Sequence, residues 1–140
     1  MNKTGPIVII DDDHDDIELY YSMFEELGTV NEIRIFDNGD TALAYLHRDD
    51  VKPFLILSDV SMQPKGGFEI RRNIAADPDL HKKCIPYIFF TTSMSPATVE
   101  EAYNLSVQGL FQKPPNFEVW KELVRNMITY WTHCISPNKV

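Results

Sequence analysis

A chain of 140 residues, 44% apolar and 11% aromatic, is long enough for one domain with its own core and too apolar for a disordered segment. Its net charge of -8 disfavours nonspecific binding to nucleic acid or to an anionic membrane. No run approaches the ~18 apolar residues of a bilayer span, and two distant cysteines, Cys84 and Cys134, make neither a disulfide framework nor a metal-ligand spacing.

In chain order, the N-terminal Met1-Asn2-Lys3-Thr4-Gly5 carries no apolar signal core, so a soluble, cytoplasmic protein with reduced thiols is expected. The first strand is Ile7 to Ile10. A helix follows from about Asp15 to Leu27, with Ile17, Tyr20, Phe24 and Leu27 at helical spacing and Gly28 as its stop. The second strand, Glu32 to Phe36, alternates polar and apolar residues, which suits a sheet edge. Asp37-Asn38-Gly39 turns the chain into a second helix ending near Leu46. The third strand, Phe54 to Asp59, is apolar nearly throughout and therefore central. A third helix covers roughly Phe68 to Ala76 and stops before Asp77-Pro78. The fourth strand runs from Tyr87 to Thr91, and Ser95 with Pro96 opens the fourth helix as cap and first-turn residue. A short fifth strand, Gly109 to Gln112, precedes a fifth helix that begins after Asn116. Its stripe is Trp120, Leu123, Val124, Met127 and Trp131, and it ends near Ser136-Pro137. Alternating strands and helices of these lengths predict an α/β domain with a doubly wound, five-stranded parallel sheet of the flavodoxin-like kind, filling residues 1–140.

The polar residues of interest all fall where a strand ends. Ile7 to Ile10 run into Asp11-Asp12, the third strand into Asp59, the fourth into Thr91, and the fifth into Lys113-Pro114. Open α/β sheets bind ligands at that carboxyl edge. An acid pair, a lone acid, a hydroxyl and a lysine are the parts needed to bind a divalent cation and hold a phosphoryl group. The acid run itself, from Asp11 to Glu18, has a bland reading as first-turn helix acids favoured by the dipole, which suffices for Asp15, Asp16 and Glu18. It does not explain Asp11 and Asp12, two adjacent carboxylates at the end of a buried strand that repel unless a cation or lysine offsets them. Hard oxygen donors with room for water suit Mg²⁺. Asp59 is costly at the end of a central strand if unpaired; near a cation it becomes both a ligand and a nucleophile toward phosphorus. Pro114 and Pro115 stiffen the backbone after Lys113 and limit where that long side chain points.

The combination resembles the receiver domain of two-component response regulators, over essentially the whole chain. The resemblance implies Asp59 as phosphoacceptor, with Mg²⁺ held by Asp12 directly, Asp11 mainly through water, Asp59 and the main-chain carbonyl of Ser61. It implies Thr91 as the hydroxyl that bonds the phosphoryl group, and Lys113 as the lysine that bridges to it. Ser61 and Ser93 occupy positions that often govern hydrolysis in the family. The partners implied are a histidine kinase or histidine phosphotransfer protein, and a downstream protein reading the face of the fourth helix, fifth strand and fifth helix. Such a chain is a phosphoacceptor that assists its own phosphorylation and dephosphorylation, not a metabolic enzyme. Three departures stand out. Met62 is followed by Gln63 with the proline delayed to Pro64, although Gly67 keeps its place. Leu110 occupies the switch position usually held by Tyr or Phe, and the aromatic beside it, Phe111, faces the other side of the strand. Lys113-Pro114-Pro115 replaces the commoner lysine-proline-apolar ending.

Three other classes compete. Haloacid-dehalogenase phosphatases also form an aspartyl phosphate, and Asp11 with Asp13 fit their spacing loosely, but Asp59 would then have no role. A receiver-like module that never accepts phosphate would lack a site residue, and none is missing. A flavodoxin would need a phosphate loop rich in Gly, Ser and Thr after the first strand. His14 reads as a loop or cap residue, and His47, His81 and His133 form no zinc spacing. The apolar run Tyr130 to Ile135 is suited to a partner surface or a homodimer contact.

Overall fold

The computed structural model describes residues 1–92 and 94–137. Ser93 therefore lies outside the described residues. Five strands form one all-parallel sheet: β1 (Ile7–Ile10), β2 (Ile33–Phe36), β3 (Leu55–Ser58), β4 (Tyr87–Thr91) and β5 (Gly109–Gln112), in the order β2-β1-β3-β4-β5. The strand order reverses between β1 and β3, which opens a crevice at their carboxyl ends. Both assignments of sheet position hold: the alternating strand is an edge, and the apolar β3 is central and buried at every residue.

Among the described residues six helices cover the sheet: α1 (His14–Leu27), α2 (Gly39–Leu46), α3 (Gly67–Ala76), the single turn α4 (Pro78–His81), α5 (Pro96–Asn104) and α6 (Phe117–His133). The period-two pattern of the strands sorts the core into two layers. Val8, Ile10, Ile56, Tyr87 and Phe89 pack on one face with Ala42, Leu46, Ile70, Ile74 and Ala102 from α2, α3 and α5. Ile7, Ile9, Leu55, Leu57, Ile88 and Phe90 pack on the other with Tyr20, Met23 and Phe24 of α1 and Trp120, Val124 and Met127 of α6.

The helix ends follow the capping chemistry of the sequence. Asp13 caps α1 by accepting from the amides of Asp15 and Asp16, so that helix starts one residue earlier than its periodicity predicts. Asn38, Ser95 and Asn116 cap α2, α5 and α6 in the same way. Gly28 closes α1 in the left-handed conformation at φ 62°, its amide donating to Phe24 O. The one element not foreseen is α4. Asp77 ends α3 through a bond to Asn73 O and at once caps the next turn, accepting from Asp79 and Leu80, with Pro78 in its first position.

Candidate functional site

The ladder of the sheet continues one residue beyond the strands and pins each functional residue to its neighbour. The Asp11 amide donates to Phe36 O at 3.0 Å, the Asp59 amide to Ile10 O at 2.9 Å, and the Lys113 amide to Thr91 O at 2.8 Å. The side chains that follow these bonds converge on one point. The Lys113 ammonium donates to Asp11 Oδ2 at 2.8 Å, to Asp59 Oδ2 at 2.9 Å and to Asp16 Oδ2 at 2.6 Å. An ammonium has three N–H donors, and each has its own carboxylate. Lys113, Asp11 and Asp59 are all buried, and the ammonium sits 6.0 Å from the ring centre of Trp120 on α6.

Asp16 is a correction. Its neighbours Asp15 and Glu18 are exposed, as the dipole reading has them, but the Asp16 side chain is only 16% exposed and ion-paired to the lysine. It lies four residues before Tyr20, on the buried stripe of α1, and that spacing was the available signal.

The remaining acceptors fix the carboxylates. Asp11 Oδ1 accepts from the Asp13 amide at 3.0 Å, and Asp59 Oδ1 from the Ser61 amide at 3.2 Å. Asp12, half-buried, accepts from the Gln63 amide at 3.4 Å. Burial pushes the Asp11 carboxyl up to about 6, and the hydrogen bond and charge of Lys113 only partly offset it, with Asp59 adding repulsion. Burial acts to lower the Lys113 ammonium, but the bonds and charges of Asp11, Asp16 and Asp59 outweigh it and hold the lysine charged. Tyr20, beneath the cluster, is raised by burial first and then by the charges of Asp11, Asp16 and Asp59.

Three carboxylates therefore share one ammonium, Asp12 adds a fourth acid next in sequence to Asp11, and the surplus negative charge fits a hard divalent cation. Among the described residues no three acidic, histidine or cysteine side chains stand ready as a ligand set. The reason is visible in the bonds: Asp11 and Asp59 each give an oxygen to Lys113, and Asp12 turns toward the Gln63 amide. Ser61, whose amide bonds Asp59, lies two residues past it on an exposed loop.

Thr91 is fully buried at the end of β4, paired in register with Gln112 of β5. Leu110 packs against the core layer of β1, α2 and α3, whereas Phe111 belongs to the opposite layer and stacks on Phe90 at 5.4 Å. The two residues thus face opposite sides, as alternation requires, and no aromatic stands in the position of Leu110. In the loop after Asp59 the Gln63–Pro64 bond is cis. Gly67 opens α3 where nothing larger fits: a Cβ there would lie 2.0 Å from Asp59 O and 2.7 Å from Phe89 Cε1. Cys84 and Cys134 are free thiols, and His14 is the exposed first residue of α1.

A model of the response regulator receiver domain matches residues 7–125, most of the chain. The chain belongs to that family. This receiver of two-component systems is 27% identical to the response regulator Rcp1 of Synechocystis sp., over 96% of its own length and 94% of that protein's. Its fold superposes on the phosphorylated cyanobacterial phytochrome response regulator RcpA with a TM-score of 0.84, at 25% identity and 95% and 98% coverage of the two chains. It superposes on the Mn²⁺-bound form of Rcp1 with a TM-score of 0.80, at 26% identity and 94% and 96% coverage. Among the described residues no helix is long and apolar enough to cross a membrane.

Proposed function

We propose that this receiver accepts a phosphoryl group on Asp59 from the phosphohistidine of a histidine kinase or a histidine phosphotransfer protein, in the reducing cytoplasm that two free thiols suit. The observation that carries the reading is the convergence of Asp11, Asp59 and Lys113, distant in sequence, within 2.9 Å of one nitrogen. Asp59 is the nucleophile: one carboxylate oxygen attacks phosphorus, and the donor atom leaves with the electron pair of the broken bond. Lys113 passes its donors from Asp11 and Asp59 to phosphoryl oxygens, and Thr91 offers its hydroxyl from the neighbouring strand end. Asp11, Asp12, Asp59 and the Ser61 carbonyl would hold Mg²⁺, which would supply charge neutralisation for the phosphoryl group. The similarity to a phosphorylated RcpA and a Mn²⁺-bound Rcp1 supports both parts of this reading. The chain works as a switch rather than as a metabolic enzyme, presenting the surface of α5, β5 and α6 to a downstream protein or to a second copy of itself. With Leu110 rather than an aromatic at that position of β5, the movement of Thr91 is relayed through the layer of Leu110 and its register partner Phe89.

Incubation with acetyl phosphate and Mg²⁺ adds one phosphate to the wild type, lost on chelation. Asp59→Asn stays unlabelled under the same conditions. Equal labelling of that variant removes Asp59 from the role, and hydrolysis of small phosphate esters without a retained phosphate favours the phosphatase class instead.

A further inference from the structure

The third partner of Lys113 is not among the residues that the proposed phosphotransfer uses. Asp11 and Asp59 serve both the lysine and the proposed cation, so a bound ion competes for two of the three acceptors that hold the ammonium. Asp16 belongs to neither the metal set nor the phosphoryl-binding set. Its bond to Lys113 is the shortest of the three, its side chain is largely buried, and it stands on the first turn of α1, whose cap Asp13 and buried stripe fix it in place. Lysine is a point charge on a flexible four-carbon stem, and the aim of that stem depends on what holds its head.

We propose that Asp16 is a positioning residue that keeps the Lys113 ammonium aimed at Asp59 when a cation draws Asp11 and Asp59 away from it. This rests on Asp59 being the phosphoacceptor. During transfer a new bond forms between an Asp59 oxygen and the donor phosphorus. The phosphorus–oxygen bond to acetate breaks, with the pair leaving on acetate, and no proton is required. Lys113 keeps its Asp16 bond throughout and passes its other two donors to the phosphoryl oxygens. Without Asp16 those donors are redistributed, and the charge that stabilises the transferring group is misplaced.

Three variants test this: Asp16→Ala, which removes the anchor; Asp16→Asn, which keeps one acceptor oxygen without the charge; and Asp16→Glu, the conservative rescue. The maximal rate of phosphorylation by acetyl phosphate at saturating Mg²⁺ falls about tenfold in Asp16→Ala, less in Asp16→Asn, and returns toward wild type in Asp16→Glu. The Mg²⁺ concentration for half-maximal rate moves less than about threefold, because Asp16 is not a ligand. A maximal rate within about twofold of wild type in Asp16→Ala, or a change confined to the Mg²⁺ half-saturation, overturns the proposal. A second measurement needs neither phosphate nor metal: solvent exchange of the Lys113 ammonium protons by ¹⁵N NMR in the chelated protein. Exchange is faster in Asp16→Ala than in wild type, and equal protection overturns the anchor. If Asp59→Asn is labelled as well as wild type, the phosphoacceptor reading fails by itself and the exchange result still decides whether Asp16 holds the lysine.

Discussion

At the scale of single residues the site is under electrostatic strain, and Asp11 shows its sign. A carboxyl whose pKa rises from 3.8 to about 6 on folding is one whose ionised form the fold disfavours. Its contribution is therefore destabilising above pH 6, and the penalty fades as the pH falls through 6 toward 3.8. Replacing Asp11 by Asn removes the penalty while leaving Lys113 its bonds to Asp16 and Asp59. In chelator at pH 7.5, Asp11→Asn should be more stable than wild type by about 1–2 kcal/mol, with the gap closing by pH 4–5. Thermal melts across that range check it, and a lower Tm for the variant at pH 7.5 contradicts it. Addition of Mg²⁺ should narrow the gap from the wild-type side, since an ion that binds only the folded state stabilises it. Asp11, Asp59 and Lys113 were legible in the sequence because a carboxylate or ammonium at the end of an apolar strand has no solvent to turn to. Asp16 was harder to see: its place four residues before Tyr20 on the α1 stripe marks it, but it stands in a run of first-turn acids that the helix dipole already explains.

At the scale of elements, the approach of α3 to the end of β3 is set by one missing methyl group. The Gly67 amide donates to Val60 O at 2.9 Å, and any Cβ would strike the Asp59 carbonyl at 2.0 Å, a contact with backbone that no rotamer relieves. Gly67→Ala should therefore cost about 2–4 kcal/mol and displace the Asp59 loop, lowering the rate of labelling by acetyl phosphate in the molecules that remain folded. Gly66→Ala, whose Cβ meets Val60 O at 3.2 Å, is the control and should cost distinctly less. Chemical denaturation of the two variants makes the comparison, and equal stabilities refute it. The strands and the five longer helices were readable because period and capping agree along each of them. The turn α4 was not, for Asp77-Pro78 is a stop signal for α3 and a start signal for α4 in the same two residues. A single turn has too little length to show a period. The boundaries of β3 shifted for a related reason: Phe54 and Asp59 are bonded to neighbouring chain segments like strand residues, yet the strand proper is Leu55–Ser58.

At the scale of the whole molecule, the two core layers end differently at the surface. On the α6 side the stripe Trp120, Val124 and Met127 is buried, but the apolar character continues outward. Phe111, Leu123, Met127, Tyr130 and Trp131 line an open groove between β5 and α6, and Tyr130 is 65% exposed and Ile135 82%. Aromatic residues at the rim of an apolar groove are the composition of an interface core rather than of a solvated face. This groove shares β5 with the carboxyl edge of the sheet: Phe111 stacks on Phe90, which touches Trp120, above which the Lys113 ammonium sits. A second copy of the chain docking here would therefore sense the repositioning of Lys113 through three rings. Self-association should accordingly be stronger in the beryllofluoride-loaded protein than in the unloaded one, and Tyr130→Glu should weaken it by placing a charge on the apolar groove. Multi-angle light scattering over a concentration series measures both. A monomer at the highest concentration in both states would show that the groove serves a different protein, and association unchanged by Tyr130→Glu would place the contact elsewhere on the surface.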